Sequence, residues 1–466
     1  MLDQPRYPRE AYLPILAGLV WLWCAASFGF VGFLFSVIPG VLLLASGVSL
    51  LFWSGDDRIT QFAALGGFLG VPLAIPVFFV SGFLTGLVLA VLSAASFVAA
   101  GVAAIRQEPH VRDVPSPTLD VRTAAQVGID EALLATMVLT RQSPWGRERS
   151  RILREAEEAR VEFARRGWLE KPADYHRTPP ALDDVRARQG RTLGIDYEQW
   201  SFESGYEPEE GEPARERWLG YAANRTACAR VLRAHAEERP WLVCFHGYQM
   251  GWPVTDVAAF QRVWRRHDLN VVMPVLPLHG PRKQGRRSGD GFLEGDVLNS
   301  IHAEAQAMWD ARRLLSYLRG HEGAERVGVF GLSLGGYNTA LLAALDDDLA
   351  CAIPGIPATD FSRLMWRHGA PLELRSVEHH GMQQVIAQEV LRVVSPLALE
   401  PKVPKEHRAI FGGTADRLVP PDQVHDLWEH WGRPEIHWYQ GAHLTFMLDP
   451  KVERLIGATL RGAGLA

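Results

Sequence analysis

Residues 326–345 read RVGVFGLSLGGYNTALLAAL and combine the parts of one local structure. RVGVF is a short apolar run typical of a buried strand, and GGYNTALLAAL has the small and apolar residues of a helix start. Between them lies the pattern G-x-S-x-G, formed by Gly331, Ser333 and Gly335. The glycines leave room for a sharp strand-to-helix turn that holds the serine hydroxyl clear of the sheet. The pattern therefore predicts a nucleophilic serine at position 333.

Short β-rich runs alternate with amphipathic helical stretches from about residue 196 to the end of the chain. The predicted strands are residues 197–202, 228–234, 241–247, 270–277, 326–331, 349–355, 408–413 and 435–441. The predicted helices are residues 253–266, 299–319, 335–346, 382–395 and 450–462. Apolar strands that alternate with helices are typical of a mostly parallel α/β sheet covered on both faces. We therefore expect an α/β domain over residues 196–466.

Polar residues with catalytic chemistry follow two later strands. A serine nucleophile needs a base and an acid that orients the base. Asp416 comes just after the strand RAIFGG, and His443 just after the strand EIHWYQ. Because parallel strands end at one edge of the sheet, the order Ser333, Asp416, His443 predicts a catalytic triad at that edge.

The strand WLVCF is followed by His246-Gly247-Tyr248. Gly247 allows the backbone amide of Tyr248 to face a substrate oxygen, opposite the amide of Leu334. Two such amides form an oxyanion hole, which stabilises the transition state. We interpret His246 as a residue that orients this loop rather than one that carries a proton.

A second loop, residues 277–287, has an unusual content of cations. It contains His279 in the sequence Pro-Leu-His-Gly-Pro, a candidate pocket wall, and then Arg282, Lys283, Arg286 and Arg287. The cations are suited to an acidic substrate group or a lipid headgroup. The alternative is an ordinary solvated loop.

These motifs together resemble the alpha/beta-hydrolase superfamily over about residues 196–466. The resemblance implies that Ser333 is the nucleophile, His443 the general base and Asp416 its partner, with an acyl-serine intermediate that water attacks. Asp360 is the alternative acid, since some members carry it one strand earlier. Residues 358–400 correspond to a lid insertion. The superfamily includes esterases, lipases, peptidases and non-enzymes, so the resemblance leaves the substrate open.

The N-terminal quarter of the chain is built from two apolar blocks. No charged residue occurs from Ala11 to Gly55 or from Ile59 to Ile105. Each block is too long for one span and predicts two helices, which gives an all-α transmembrane domain over residues 1–105. The expected spans are residues 12–34, 38–54, 60–80 and 83–104, with breaks near Pro39–Gly40 and Ser81–Gly82. Re-entrant hairpins are the alternative, because Pro72 and Pro76 interrupt the third span.

Basic residues flank these spans on one side. With four spans, Arg6, Arg9, Arg58, Arg106 and Arg112 share a side, which the positive-inside rule makes the cytoplasm. We expect the catalytic domain on that side and residues 106–195 as a linker with helical segments. No ionisable residue lies inside a span, so we expect an anchor rather than a transporter.

The composition excludes several other classes. A net charge of −5 removes the electrostatic basis for nucleic-acid binding. Four widely spaced cysteines predict neither a disulfide scaffold nor a zinc site, and the adjacent pair His379–His380 is a weak metal candidate. We expect no metal and no cofactor.

The sequence predicts a membrane-anchored serine hydrolase of a small-molecule or lipid ester, with no protein partner identified. An amide or peptide hydrolase, an acyltransferase and a non-catalytic hydrolase-fold binding protein are the alternatives.

Overall fold

The computed structural model describes residues 9–53, 56–141, 144, 146–235, 239–369, 374–375, 378–379 and 383–466. Arg6 and His380 therefore lie outside the described residues. The chain divides into two compact units. The helical unit comprises residues 1–141 together with two later segments, 413–421 and 438–449. The sheet unit comprises residues 142–412, 422–437 and 450–466.

Five long helices lie in the described residues of the helical unit. They are α1 Tyr12–Ser27, α2 Gly29–Phe52, α3 Asp57–Ser81, α4 Phe83–Gln107 and α5 Val121–Thr140. Four helices in this part of the chain are long and apolar enough to cross a membrane, covering residues 9–27, 29–52, 58–81 and 83–107. Four apolar N-terminal helices fit the membrane domain predicted from the sequence.

The break between the first two helices differs from the prediction. It lies at Phe28–Gly29, where Gly29 has a φ of +64°, a left-handed conformation that glycine adopts without strain. Pro39 lies inside α2 instead of ending a helix. Proline is tolerated within apolar helices whose neighbours compensate for the lost hydrogen bond. The second break agrees, at Gly82, and α3 continues through Pro72 and Pro76 without a re-entrant turn.

Small residues allow the helices of this unit to pack closely. A Cβ atom on Gly18 of α1 would lie 2.5 Å from the backbone nitrogen of Leu44 in α2. The indole of Trp21 donates a buried hydrogen bond to Ser93 Oγ, 2.9 Å away in α4. Close backbone approach and buried polar contacts of this kind hold apolar helices together where the hydrophobic effect is weak.

In the described part of the chain, the sheet has nine strands in the order β1-β2-β3-β5-β4-β6-β7-β8-β9. They are β1 Arg186–Thr192, β2 Ile195–Glu203, β3 Thr226–Leu232, β4 Trp241–Phe245, β5 Asn270–Pro274, β6 Val327–Leu332, β7 Cys351–Gly355, β8 Ala409–Gly413 and β9 Glu435–Tyr439. The strands from β5 through β8 pair in parallel, and β1, β2 and β3 extend the sheet antiparallel. This topology confirms the predicted alpha/beta-hydrolase fold class.

The helices outside the bundle are α6 Arg147–Arg165, α7 Arg215–Leu219, α8 Pro253–His267, α9 Val297–Gly320, α10 Leu334–Leu345, α11 Phe361–His368, α12 Gln384–Leu391, α13 Pro421–His430 and α14 Pro450–Gly462. The sheet begins ten residues earlier than the predicted boundary, with β1. That strand reads RARQGRT and is largely exposed, so it lacks the apolar pattern by which a strand is found. The lid segment contains α11 and α12, and residues 370–373, 376–377 and 380–382 within it are outside the described residues.

Candidate active site

Ser333 stands on a strained turn between β6 and α10. Its backbone angles are φ 59° and ψ −114°, a combination that costs a non-glycine residue free energy. The Ser333 amide donates to the carbonyl of Gly355 at the end of β7, 3.0 Å away, which fixes the turn. All of β6 is buried, whereas Ser333 itself is only partly covered. The turn therefore presents the hydroxyl at the end of the sheet.

The glycines on either side of Ser333 are required by space. A Cβ atom on Gly331 would lie 2.1 Å from the carbonyl oxygen of Gly335. One on Gly335 would lie 1.9 Å from the carbonyl oxygen of Phe245, the last residue of β4. Neither position has room for a side chain. The G-x-S-x-G pattern thus reflects the close packing of this turn against the neighbouring strand.

The loop after β4 lies beside Ser333. A Cβ atom on Gly247 would be 3.8 Å from the Cβ atom of Ser333. His246 is fully buried; its Nε2 accepts a hydrogen bond from the amide of Leu276 (3.1 Å), and its Nδ1 donates to the carbonyl of Gly247 (2.8 Å). Burial lowers the pKa of His246 to about 4, so the ring is neutral. His246 therefore ties the loop after β4 to the segment after β5.

The two candidate oxyanion residues, Tyr248 and Leu334, lie in the loop after β4 and at the start of α10. Leu334 is the first residue of α10, so its amide is one of those that an α-helix leaves without an intrahelical partner. Tyr248 follows Gly247 and packs its ring against His279 and Phe292. Both residues belong to the sheet unit with Ser333.

The structure corrects the interpretation of Arg282. Its guanidinium is 2% exposed and donates to the carbonyls of Val275 and Asn224 and to Asp310 Oδ2, at 2.9, 3.0 and 2.8 Å. A group so enclosed supports the loop and does not face a substrate. His279 is also fully buried, and its Nδ1 donates to the carbonyl of Pro277. Burial lowers the pKa of His279 to about 3, so it adds no positive charge.

Asp416 and His443 form a buried pair in the helical unit. The Nδ1 atom of His443 lies 2.6 Å from Asp416 Oδ2, and Asp416 Oδ1 accepts hydrogen bonds from the amides of Leu418 and Val419. Burial alone would lower the pKa of His443, but the carboxylate of Asp416 raises it, and the net shift is upward. The hydrogen bond at Nδ1 leaves Nε2 as the atom suited to proton transfer.

Asp360, the alternative acid, has a different role. It caps the N-terminus of α11, where its Oδ1 accepts from the amide of Arg363 (3.0 Å) and from the hydroxyl of Ser362 (2.6 Å). Its other oxygen accepts from Gln388 Nε2. The histidine partner in this structure is Asp416.

Two residues of α5 that the sequence did not mark as functional contact the same loops. Asp130 accepts hydrogen bonds from the backbone amides of Arg417 and His443, and Glu131 binds the Arg417 side chain. The sequence shows them only as adjacent carboxylates within an otherwise apolar helix. Two carboxylates within an apolar stretch were the signal that the sequence offered, because acidic side chains are seldom buried without a partner.

Comparison with known proteins gives relatives along most of the chain. Residues 310–440 match the prolyl oligopeptidase family. Two uncharacterized proteins of Mycobacterium tuberculosis, MT2702 and Rv2627c, are 44% and 43% identical over 363 residues, which is 77% of this chain and 86% of each relative.

Solved structures with the same kind of fold are more distant. An acetyl xylan esterase from a Paenibacillus species aligns with 62% of this chain and 92% of its own, with 16% identity and a TM-score of 0.44. The acylaminoacyl peptidase of Pyrococcus horikoshii aligns with 59% of this chain and 41% of its own, with 14% identity and a TM-score of 0.36. The sheet order and the serine turn are those of the alpha/beta-hydrolase fold, and the chain belongs to one family with the two mycobacterial proteins.

Proposed function

We propose that this protein is a membrane-anchored serine hydrolase that cleaves a carboxylic ester through an acyl-serine intermediate. The observation that carries the proposal is the strained Ser333 turn, because non-glycine residues held at such backbone angles cluster at functional sites. The hydrogen bond of 2.6 Å between His443 and Asp416 supports the proposal, because a nucleophilic serine needs a base and an acid that orients the base.

The proposed reaction assigns one step to each residue. Ser333 Oγ attacks the ester carbonyl carbon while His443 Nε2 takes the hydroxyl proton. The amides of Tyr248 and Leu334 stabilise the oxyanion, an effect worth about 3–4 kcal/mol per donor in comparable enzymes. The carbon–oxygen bond to the alcohol then breaks, and His443 returns the proton to the leaving alcohol. A water molecule attacks the acyl-serine by the same route and releases the carboxylic acid.

Amide or peptide cleavage is the second candidate. The match of residues 310–440 to the prolyl oligopeptidase family favours it, because that segment contains the serine turn and the acid loop. The same triad serves both reactions, so the shape of the acyl and leaving-group pockets decides between them. Acyl transfer to an alcohol other than water is a further use of the same intermediate.

The proposed location is a multi-pass membrane protein with the catalytic residues on the cytoplasmic side. Four apolar helices support the anchoring, and the flanking arginines support the side. An enzyme held at a bilayer meets lipid-derived esters at high local concentration, so we propose substrates with an apolar acyl chain. Accessibility of single cysteines placed at Arg58 and Arg112 to an impermeant thiol reagent tests the side.

The decisive experiment is fluorophosphonate labelling of membranes that contain the full chain. The wild type should label and Ser333→Ala should not, whereas Ser316→Ala, a helix serine away from the site, should label normally. Well-folded wild type that does not label would favour a non-catalytic binding protein. A series of p-nitrophenyl esters from acetyl to long acyl chains, compared with matched p-nitroanilides, then separates esterase from amidase. Strict preference for acetyl would contradict a lipid-derived substrate.

A further inference from the structure

A single carboxylate oxygen joins the two loops that carry the acid and the histidine. Asp130 Oδ2 accepts hydrogen bonds from the backbone amide of Arg417 at 3.1 Å and from that of His443 at 2.9 Å. Arg417 directly follows Asp416 in the chain. The Asp130 side chain is 1% exposed, so these bonds form in a medium of low dielectric constant. One residue of α5 thus sets the spacing between the two loops.

The position of α5 is fixed by tight packing within the helical unit. The helix begins at Val121, after the N-cap residue Asp120, whose side chain accepts a hydrogen bond from the amide of Thr123 at 2.8 Å. A Cβ atom on Gly101 of α4 would lie 1.9 Å from the carbonyl oxygen of Ala124, so the two helices are in direct backbone contact. A buried cluster joins α4 and α5 to both loops; its members are Ala104, Val127, Ala415 and Ala442.

Glu131 makes a second connection, this time to an apolar helix of the bundle. Its Oε1 lies 2.7 Å from Arg417 Nε, and its Oε2 accepts a hydrogen bond from Thr60 Oγ1 at 2.7 Å. Thr60 belongs to α3, one of the four helices long enough to cross a membrane. Glu131 is fully buried and Arg417 nearly so, and Glu108 at the end of α4 also pairs with Arg417. The acid loop is therefore held from α3, α4 and α5.

We propose that Asp130 and Glu131 are positioning residues for the Asp416–His443 pair, so that the helical unit is part of the catalytic machinery and more than an anchor. This inference rests on the proposed function. Its physical basis is alignment, because a displacement of a catalytic group by about 1 Å can cost about 100-fold in rate. Without Asp130, two buried amides lose their acceptor, and the two loops lose the group that fixes their spacing.

Asp130 also acts on His443 through its charge. Burial raises the pKa of Asp130 to about 7, with a further upward contribution from Asp416, while His443 and the amides of His443 and Arg417 lower it. The charge of Asp130 also contributes to the raised pKa of Tyr439, after the larger effects of burial and of Asp416. The carboxylate in turn raises the pKa of His443, after the larger effects of burial and of Asp416. Asp130 therefore contributes in two ways that can be tested separately: its oxygen positions the two loops, and its charge raises the pKa of His443.

The test compares two substitutions of Asp130 in the full chain in detergent or nanodiscs. Asp130→Ala removes both the acceptor and the charge, and it should lower kcat about 10- to 100-fold with little change in KM. Asp130→Asn keeps an acceptor oxygen for the two amides, so it should retain most of kcat. Loss of the negative charge should nevertheless move the acid limb of kcat/KM to lower pH, because the pKa of His443 falls. Asp113→Asn, an exposed aspartate of the same unit, is the matched control.

The connection to α3 has its own variant. Thr60→Val keeps the side-chain volume nearly constant but removes the hydroxyl that donates to Glu131. It should lower kcat, though by less than Asp130→Ala does. Esterase activity of Asp130→Ala and Asp130→Asn equal to wild type, with an unchanged pH profile, would overturn the inference while leaving the proposed function intact. Loss of activity that only follows the fraction of folded protein would also overturn it. A folded wild type without activity would overturn the proposed function and the inference with it.

Discussion

Arg282 offers a sharp test of whether the cationic loop after β5 binds substrate or holds the fold. The guanidinium bridges Asp310 of α9 and two backbone carbonyls, and both charged side chains are almost fully buried, at 2% and 6% exposure. Arg282→Met would keep much of the volume of the stem but leave Asp310 as an uncompensated buried charge. Removing one partner of such a pair typically costs about 3–5 kcal/mol. The folded-to-unfolded ratio should therefore fall at least about 100-fold.

The assay is thermal or denaturant unfolding of the full chain, with labelling of the folded fraction as the activity readout. Arg286→Met is the matched control, since Arg286 is exposed in the same loop. Adding Asp310→Asn to Arg282→Met should recover part of the lost stability, because the asparagine still accepts the hydrogen bond of Ser204 without a buried charge. The double-mutant cycle then gives a coupling energy for the pair.

A different pattern would refute this reasoning. If Arg282→Met were as stable as Arg286→Met and instead raised KM for esters with an anionic group, Arg282 would contact substrate. The structural role assigned to Arg282 would then be wrong, and the loop would again be interpreted as a site for an anionic group of the substrate.

Three further predictions concern the catalytic turns. Gly335→Ala places a methyl group 1.9 Å from the Phe245 carbonyl oxygen and should destabilise the fold by about 1–3 kcal/mol or more. Gly320→Ala is the control and should not destabilise it, because a Cβ atom there meets open space. Thermal unfolding compares the two variants. Asp416→Asn should lower kcat for ester hydrolysis by roughly 10⁴-fold with the fold intact, and the rate of fluorophosphonate labelling should fall with it. Labelling of the wild type should decline as the pH falls through the raised pKa of His443, because only the neutral imidazole accepts the serine proton. If labelling declined only below the pKa of an unperturbed histidine, the pairing of His443 with Asp416 would be contradicted.

The sequence was most informative where a local pattern has one geometric explanation. The glycines around Ser333 predict the strained turn because no side chain fits there, and the apolar strands from β4 to β8 predict the parallel sheet. It was least informative where the contact partner lies far away in the chain. Arg282 looked available for a ligand because its partners Asn224 and Asp310 are 58 and 28 residues distant.

The helix boundaries show the same limit. Pro39–Gly40 is a good turn signal in isolation, yet the chain turns at Phe28–Gly29 and α2 continues through the proline. Local turn preference is weak compared with the requirement that an apolar helix satisfy its own backbone. The strand β1 was missed for the opposite reason, since an exposed edge strand needs no apolar pattern.

The contacts group the chain differently from the predicted order of an anchor, a linker and a catalytic domain. The predicted boundary near residue 196 marks the start of the alternating strands and helices, whereas the contacts group the loops of Asp416 and His443 with the N-terminal helices. Those two loops receive their hydrogen-bond acceptors from Asp130 and Glu131, which precede the first strand by more than 50 residues. The serine turn follows from a local sequence pattern, whereas the loops of Asp416 and His443 have a hydrogen-bonding support outside the sheet. In this protein that support is a helix packed on the apolar bundle, which ties the geometry of the catalytic pair to the integrity of the helices proposed to lie in the membrane.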